Sequence, residues 1–164
     1  MTSLANHPER NVIRLLLKQN EVLKDLDDVD RERLEPHMSV YDGHKGDFLL
    51  YQGMREMEQY FIIDGILKRV VSNKEGKEMI LRFADEHDME TSYAAWRLHT
   101  PAPYGIVCVT KARVVRMPLA EWAAFLDSRP KAKEAFEYCV MRVMSELMLF
   151  DRTITVPLFL VGFE

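Results

Sequence analysis

The chain has 164 residues, 48% of them hydrophobic and 29% charged, with a net charge of -4 and a pI near 5.8. That is about one domain, with enough apolar content to bury a core and no bias toward disorder. Basic and acidic residues are interspersed, which argues against a face for nucleic acid, and no apolar run approaches the ~20 residues of a membrane span. The N-terminal MTSLANHPERN lacks the parts of a signal peptide, and Cys108 and Cys139 offer neither a disulfide framework nor a metal spacing. A cytoplasmic location is the expectation.

Pro8 can open a helix at its first turn, where its missing N–H costs nothing. Val12, Leu15, Leu16 and Gln19 then follow helical spacing, and Ile13 and Leu17 broaden the face. A second short helix is predicted from near Asp28, with acidic residues in its first turn, to a stop before Pro36.

From Met38 to Met117 the pattern is β. Val40 and Tyr41 lead to an Asp42-Gly43 turn. Three apolar runs follow, at Phe48 to Tyr51, Tyr60 to Val71 and Met79 to Phe83. Glycines punctuate them: Gly46 and Gly53 flank the first, Gly65 interrupts the second, and Gly76 separates the second from the third. Ser72 to Gly76 carries the residues of a hairpin loop. Ile106 to Thr110 and Arg113 to Met117 read as a final pair of strands. Many short strands with polar turns predict a jelly-roll or similar barrel.

Pro118 ends the β region, and Leu119 to Leu126 reads as a short helix. Ser128-Arg129-Pro130 opens a long one, expected to run to about Phe150. Along it Phe136, Val140, Val143, Leu147 and Phe150 recur at alternating spacings of four and three, the seam of a coiled coil. Ala132, Ala135, Cys139 and Met144 widen that surface, so the helix must be covered on more than one side.

Three motifs then fall in order: Gly46-Asp47-Phe48-Leu49-Leu50-Tyr51-Gln52-Gly53, Tyr60-Phe61-Ile62-Ile63-Asp64-Gly65 and Glu75-Gly76-Lys77-Glu78. Their order and spacing resemble the cyclic-nucleotide-binding domain of the CRP/FNR transcription regulators. The resemblance implies a mainly β fold with flanking helices, an antiparallel jelly-roll (double-stranded β-helix) followed by a long C-terminal dimerisation helix. It implies one domain over 1–164: N-terminal helices in 8–36, the β-roll over 38–117, a short helix over 119–128 and the long helix over 129–150. The tail 151–164 is expected to hold no DNA-binding domain, where the family continues into a helix-turn-helix. The seam residues become a homodimer interface.

In the family the nucleotide phosphate rests on a Gly-Glu pair and, further on, an Arg-(Ser/Thr)-Ala triplet. Counting from both flanks, with His87-Asp88 at the family's Gly-Asp, puts Thr91 and Ser92 at the pair and Ala102, Pro103 and Tyr104 at the triplet. Ala102 offers no cation, and Pro103 has neither hydroxyl nor N–H for a phosphate oxygen. Positions that meet the base in the family fall at Leu147 and Met148. Arg82 and Arg97 are the cations nearest to this region; the first reads as the outward member of an alternating strand, the second as a solvated loop residue. Tyr93, Trp96, Tyr104 and Met89 would line a pocket for an apolar ligand or simply fill a core.

His7, His37, His44, His87 and His99 are scattered without ligand spacing, and no nucleophile elbow or phosphate loop is present. No cofactor, metal site or catalytic residue is expected, and the chain does not read as an enzyme. The reading is an effector-sensing and dimerisation module of a CRP/FNR-type regulator lacking the usual phosphate-binding residues, with DNA as a partner only if a longer chain exists. Two alternatives stand beside it: a small-molecule sensor with an atypical pocket, and a ligand-free protein-interaction module.

Overall fold

The computed structural model describes the backbone of residues 1–154 and the side chains of residues 1–147. Among the described residues nine strands form two antiparallel sheets. The first runs β1 (Thr2–Ser3), β2 (Ser39–Gly43), β9 (Ala112–Pro118), β4 (Glu58–Asp64) and β7 (Met89–Glu90). The second runs β3 (Phe48–Leu50), β8 (Gly105–Cys108), β5 (Leu67–Ser72) and β6 (Glu78–Ala84). The chain passes repeatedly from one sheet to the other, which is the jelly-roll arrangement expected.

Two details of the strands differ from expectation. The turn at Asp42-Gly43 comes later, because both residues stay in β2 opposite Arg113 and Ala112. The corner falls at His44–Asp47, where the Asp47 carboxylate accepts from the His44 N–H at 2.8 Å and from the Tyr41 hydroxyl at 3.0 Å. Moreover, β8 and β9 are not a ladder pair. β8 joins β3 and β5, whereas β9 joins β2 and β4. The link Val109–Lys111 crosses between sheets beside the crossing at Gly65-Ile66, and the two are tied by Val109 N–H to Ile66 C=O at 2.9 Å.

Gly65 makes that double crossing fit. Its φ is +94°, and a Cβ there would lie 2.5 Å from the Lys111 carbonyl oxygen. The β5–β6 hairpin closes as expected, with the Asn73 side chain accepting from the N–H groups of Glu75 and Lys77 at 3.0 and 2.9 Å.

Helix α1 spans Arg10–Leu17, and its buried residues are Ile13 and Leu17. Val12 and Leu15 are exposed, so the apolar face is rotated from the one expected. Ile13, Leu17 and the half-buried Leu16 give the narrower stripe that meets the roll. Helix α2 (Asp28–Leu34) is capped by Asp27, which accepts from the Asp30 N–H at 2.8 Å. Helix α3 (Tyr93–Arg97) replaces what the sequence suggested was loop, α4 (Leu119–Asp127) follows β9, and α5 runs Pro130–Ile154.

Trp122 of α4 is the centre of the helical layer. It meets Phe61 of β4 edge-on at 5.3 Å, stacks on Phe125 at 5.8 Å and meets Phe136 of α5 edge-on at 5.5 Å. Phe136 also stacks on Tyr93 at 5.0 Å. Phe136 is therefore spent on the chain's own core, at 0% exposure, rather than on the outer seam expected of it. Val140, Val143 and Leu147 are half-buried, and the apolar side chains that α5 turns outward are Tyr138, Met141 and Met144. The side chains of Met148 and Phe150 lie outside the described residues.

Candidate functional site

Three charged side chains converge where the edge strands of the two sheets face each other. Arg69 comes from β5, Arg82 from β6 and Glu90 from β7. Arg69 and Arg82 are register partners on adjacent strands, and a bulge between Arg69 and Val70 shifts the pairing next to them. The Glu90 side chain is fully buried, Arg69 is nearly so, and Arg82 keeps 16% of its side chain exposed.

Arg69 donates to Glu90 Oε1 and, at 3.5 Å, to the Thr91 carbonyl. Arg82 Nη1 lies 3.3 Å from Glu90 Oε2. Burial alone would lower the Arg69 pKa; the Glu90 charge outweighs it and holds the guanidinium above its ordinary value. The Arg69 guanidinium also lies over the ring of Tyr104, whose hydroxyl donates to the Thr91 carbonyl. Burial pushes the Tyr104 phenol up to about 12, so it stays a neutral donor. Two cations share this one carboxylate, the Asp88 carboxyl also feels the Arg82 charge, and Arg69 Nε, Glu90 Oε2 and Ser92 Oγ find no hydrogen-bond partner among the described residues.

The residues singled out in the sequence fall around this cluster. Thr91 and Ser92 are buried next to Glu90, and the Thr91 hydroxyl accepts from the Tyr93 N–H at 3.1 Å at the start of α3. Ala102 is buried, and its backbone is already used: its N–H donates to Met54 C=O, and its C=O accepts from Gly53 N–H, both at 2.8 Å. Pro103 and Tyr104 lead from there into β8.

Arg82 is not the outward member of its strand. Phe83 is, at 58% exposure, while Arg82 turns inward because Glu90 stands there to receive it. Arg97 lies on the exposed side of α3, over the Tyr93 ring at 5.8 Å, in a surface cleft it shares with Lys133 and Glu137. It is apart from the buried cluster. Leu147 is half-buried on α5.

Arg69 and Glu90 escaped the sequence reading. The available signal was a charge at a strand position that should be apolar: Arg69 within Leu67–Ser72, and Glu90 just before the Thr91-Ser92 pair. His87, placed where the family has glycine, adopts φ +73°, the left-handed conformation that glycine normally supplies. Its N–H donates to Ile62 C=O at 3.1 Å, and its C=O accepts from the Asn20 amide at 3.1 Å. Among the described residues no group of three His, Cys, Asp or Glu side chains is placed to hold a metal, and no helix is long and apolar enough to cross a membrane.

The sequence profile of the cyclic nucleotide-binding domain matches residues 44–129, over half of the chain. No curated protein matches. The fold is that of the sensor domain of the transcriptional regulator DNR from Pseudomonas aeruginosa (TM-score 0.70, 20% identity, 88% of this chain and 95% of that one). The N-terminal domain of a Streptomyces coelicolor transcriptional regulator is also similar, with TM-score 0.58, 20% identity, 80% of this chain and 93% of that one. The Thermus thermophilus catabolite activator protein gives TM-score 0.68 at 12% identity, over 83% of this chain and 63% of that one. With the profile over its β-roll and the two-sheet fold with its long C-terminal helix in place, this chain belongs to the cyclic nucleotide-binding domain family.

Proposed function

We propose that the chain is an effector-sensing and dimerisation module of a CRP/FNR-type transcription regulator, and not an enzyme. The observation that carries this reading is the outer face of α5. Tyr138, Met141 and Met144 are 60%, 62% and 49% exposed on a helix whose opposite face is packed through Phe136 and Cys139. Methionines and a tyrosine grouped on one exposed helix face are what a second copy of the same helix would bury. Val140 borders that face, whereas the half-buried Val143 and Leu147, seven and eleven residues beyond Phe136, lie on the Phe136 side of the helix.

Sensing is assigned to the roll, where a buried cluster of two arginines and one glutamate takes the place of an apolar filling. The usual phosphate site is not the receptor in this reading, since Ala102 and Pro103 supply neither cation nor free donor. Sedimentation equilibrium of the unaltered chain should report a dimer, and the double substitution of Met141→Glu and Met144→Glu should report a folded monomer. A dimer that survives both changes would place the interface elsewhere.

A further inference from the structure

We propose that the cavity beside Arg82 binds a small organic acid, whose carboxylate is received by the Arg82 guanidinium; this rests on the sensor reading above. The cavity has a volume of about 190 Å³ and lies between the segment after α1, the β6–β7 region and α5. Its walls include Asn20, Arg82, Asp88, Met89, Arg142 and Val143. Thr91, Ala102 and Tyr104 are not among them, so it is separate from the segment where the family's phosphate site falls. Drug-sized ligands occupy roughly 300–1,000 Å³. This space suits a molecule of a few carbon atoms and not a nucleotide.

Arg82 is equipped for such a ligand. Its one ionic contact among the described residues is the 3.3 Å approach to Glu90, and Glu90 Oε2 makes no hydrogen bond there. The other oxygen of Glu90 is engaged by Arg69. The guanidinium therefore keeps spare donors in a fixed planar fork, the geometry that a carboxylate accepts in pairs. Arg82, with 16% of its side chain exposed, gives an entering monoanion a charged partner that water screens only in part.

The acidic walls set the limit on charge. Glu21 faces Arg142 at 3.5 Å, and burial raises the carboxyl of Asp88 while the Arg82 charge opposes the shift. These carboxyls disfavour a dianion such as phosphate, which leaves a monocarboxylate as the better fit. Met89 and Val143 provide apolar contact for its carbon atoms. The rim at His87 is held in its left-handed conformation by the Asn20 amide, a constrained backbone of the kind found at ligand sites. Arg142 and Val143 belong to α5, so occupancy of the cavity touches the helix assigned to dimerisation.

The test is a titration of the full chain, with acetate, pyruvate and succinate at constant ionic strength, followed by the arginine Nε–Hε NMR signals. Inorganic phosphate and cyclic AMP form separate arms. The expected result is a saturable shift of the Arg82 signal with acetate or pyruvate. Binding should weaken at least about tenfold in Arg82→Gln, the loss of one charge-assisted pair. It should tighten in Asp88→Asn, which removes an acidic wall and keeps an acceptor for the Asp85 N–H. That second variant carries the test if Arg82→Gln does not fold. The proposal is overturned if neither acetate nor pyruvate gives a saturable shift, if Asp88→Asn does not tighten binding, or if only succinate, phosphate or cyclic AMP responds. Sedimentation of the same sample keeps the two readings apart: a dimer without an acid response removes this site alone.

Discussion

The central carbon of the Arg69 guanidinium sits 4.0 Å from the centroid of the Tyr104 ring, while the same guanidinium donates to the buried Glu90. An arginine held between an aromatic face and a carboxylate has its orientation fixed on two sides. The pair joins β5 to the segment entering β8, and Glu90 ties both to the opposite sheet. The cluster is therefore structural cement as well as a charge store, and its parts should differ in what their removal does.

Glu90→Gln leaves Arg69 and Arg82 without their shared counter-charge. Loss of one partner of a buried ion cluster costs about 3–5 kcal/mol, or roughly 6–20 °C in Tm for a chain of this size. Tyr104→Phe keeps the ring under Arg69 and removes only the hydroxyl, for about 0.5–1.5 kcal/mol. Thermal denaturation of both variants should show this order. Equal losses would mean that the ion cluster is not what holds the sheets here.

Gly65→Ala should be far more damaging than Gly76→Ala, although both glycines have positive φ. A Cβ at Gly65 would stand 2.5 Å from the Lys111 carbonyl, whereas at Gly76 nothing lies within 4 Å. The first change adds a backbone clash to the conformational cost, roughly 2–5 kcal/mol together, and the second only the conformational part, about 1–2 kcal/mol. Urea unfolding measures the difference, and similar midpoints would contradict the crossing described above.

Asp42 and Asp88 should respond to pH with opposite signs. Burial would raise the Asp42 carboxyl, but its hydrogen bonds from Arg113 and His7 outweigh this and hold it below the ordinary value. A lowered folded pKa gives stability that is present above the unfolded value, about 3.9, and lost as pH falls through the folded one. Asp42→Asn should therefore destabilise at neutral pH, with the loss fading in acid. Asp88 is raised by burial, so its charge opposes folding near neutrality. Asp88→Asn should raise Tm at pH 7 and have no effect below about pH 3, where both states are protonated. Tm profiles from pH 2 to 7 check both: Asp88→Asn should meet the parent by about pH 3, whereas Asp42→Asn should approach it only as pH falls through the lowered folded value.

Cyclic AMP and cyclic GMP should give no heat of binding at micromolar concentrations. Ala102 and Pro103 stand where the family places an arginine and a hydroxyl, and the Ala102 N–H is already donated to Met54. One charged hydrogen-bonded pair is worth about 1.5–3 kcal/mol, so Ala102→Arg alone should not restore full affinity. Micromolar binding to the unaltered chain would reject this placement of the phosphate segment.

Specific DNA binding by these 164 residues is not expected. On α5, Lys131, Lys133 and Arg142 stand beside Glu134, Glu137 and Glu146, and the net charge of -4 weakens even non-specific attraction. A gel-shift titration at moderate salt is the measurement. A retarded band surviving competitor DNA would contradict the expectation.

The sequence by itself determined the elements whose causes are local. Gly65 and the Asn73 to Gly76 loop mark corners through backbone conformation, the acidic residues from Asp28 mark the first turn of α2, and Pro130 opens α5. Many short strands with polar turns, and the three motifs in order, implied the jelly-roll. Which face of an element points inward was decided by tertiary structure. A helical repeat names residues that share a stripe; it does not say which stripe meets the roll, and so Ile13 and Leu17 are buried while Leu15 is not. The same limit divides the α5 repeat, with Phe136 inside against Trp122 and Met141 outside. The Arg69, Arg82 and Glu90 cluster was least legible. Alternation placed Arg82 outward, and only the meeting of two edge strands from different sheets brings Glu90 close enough to make burial of two arginines affordable.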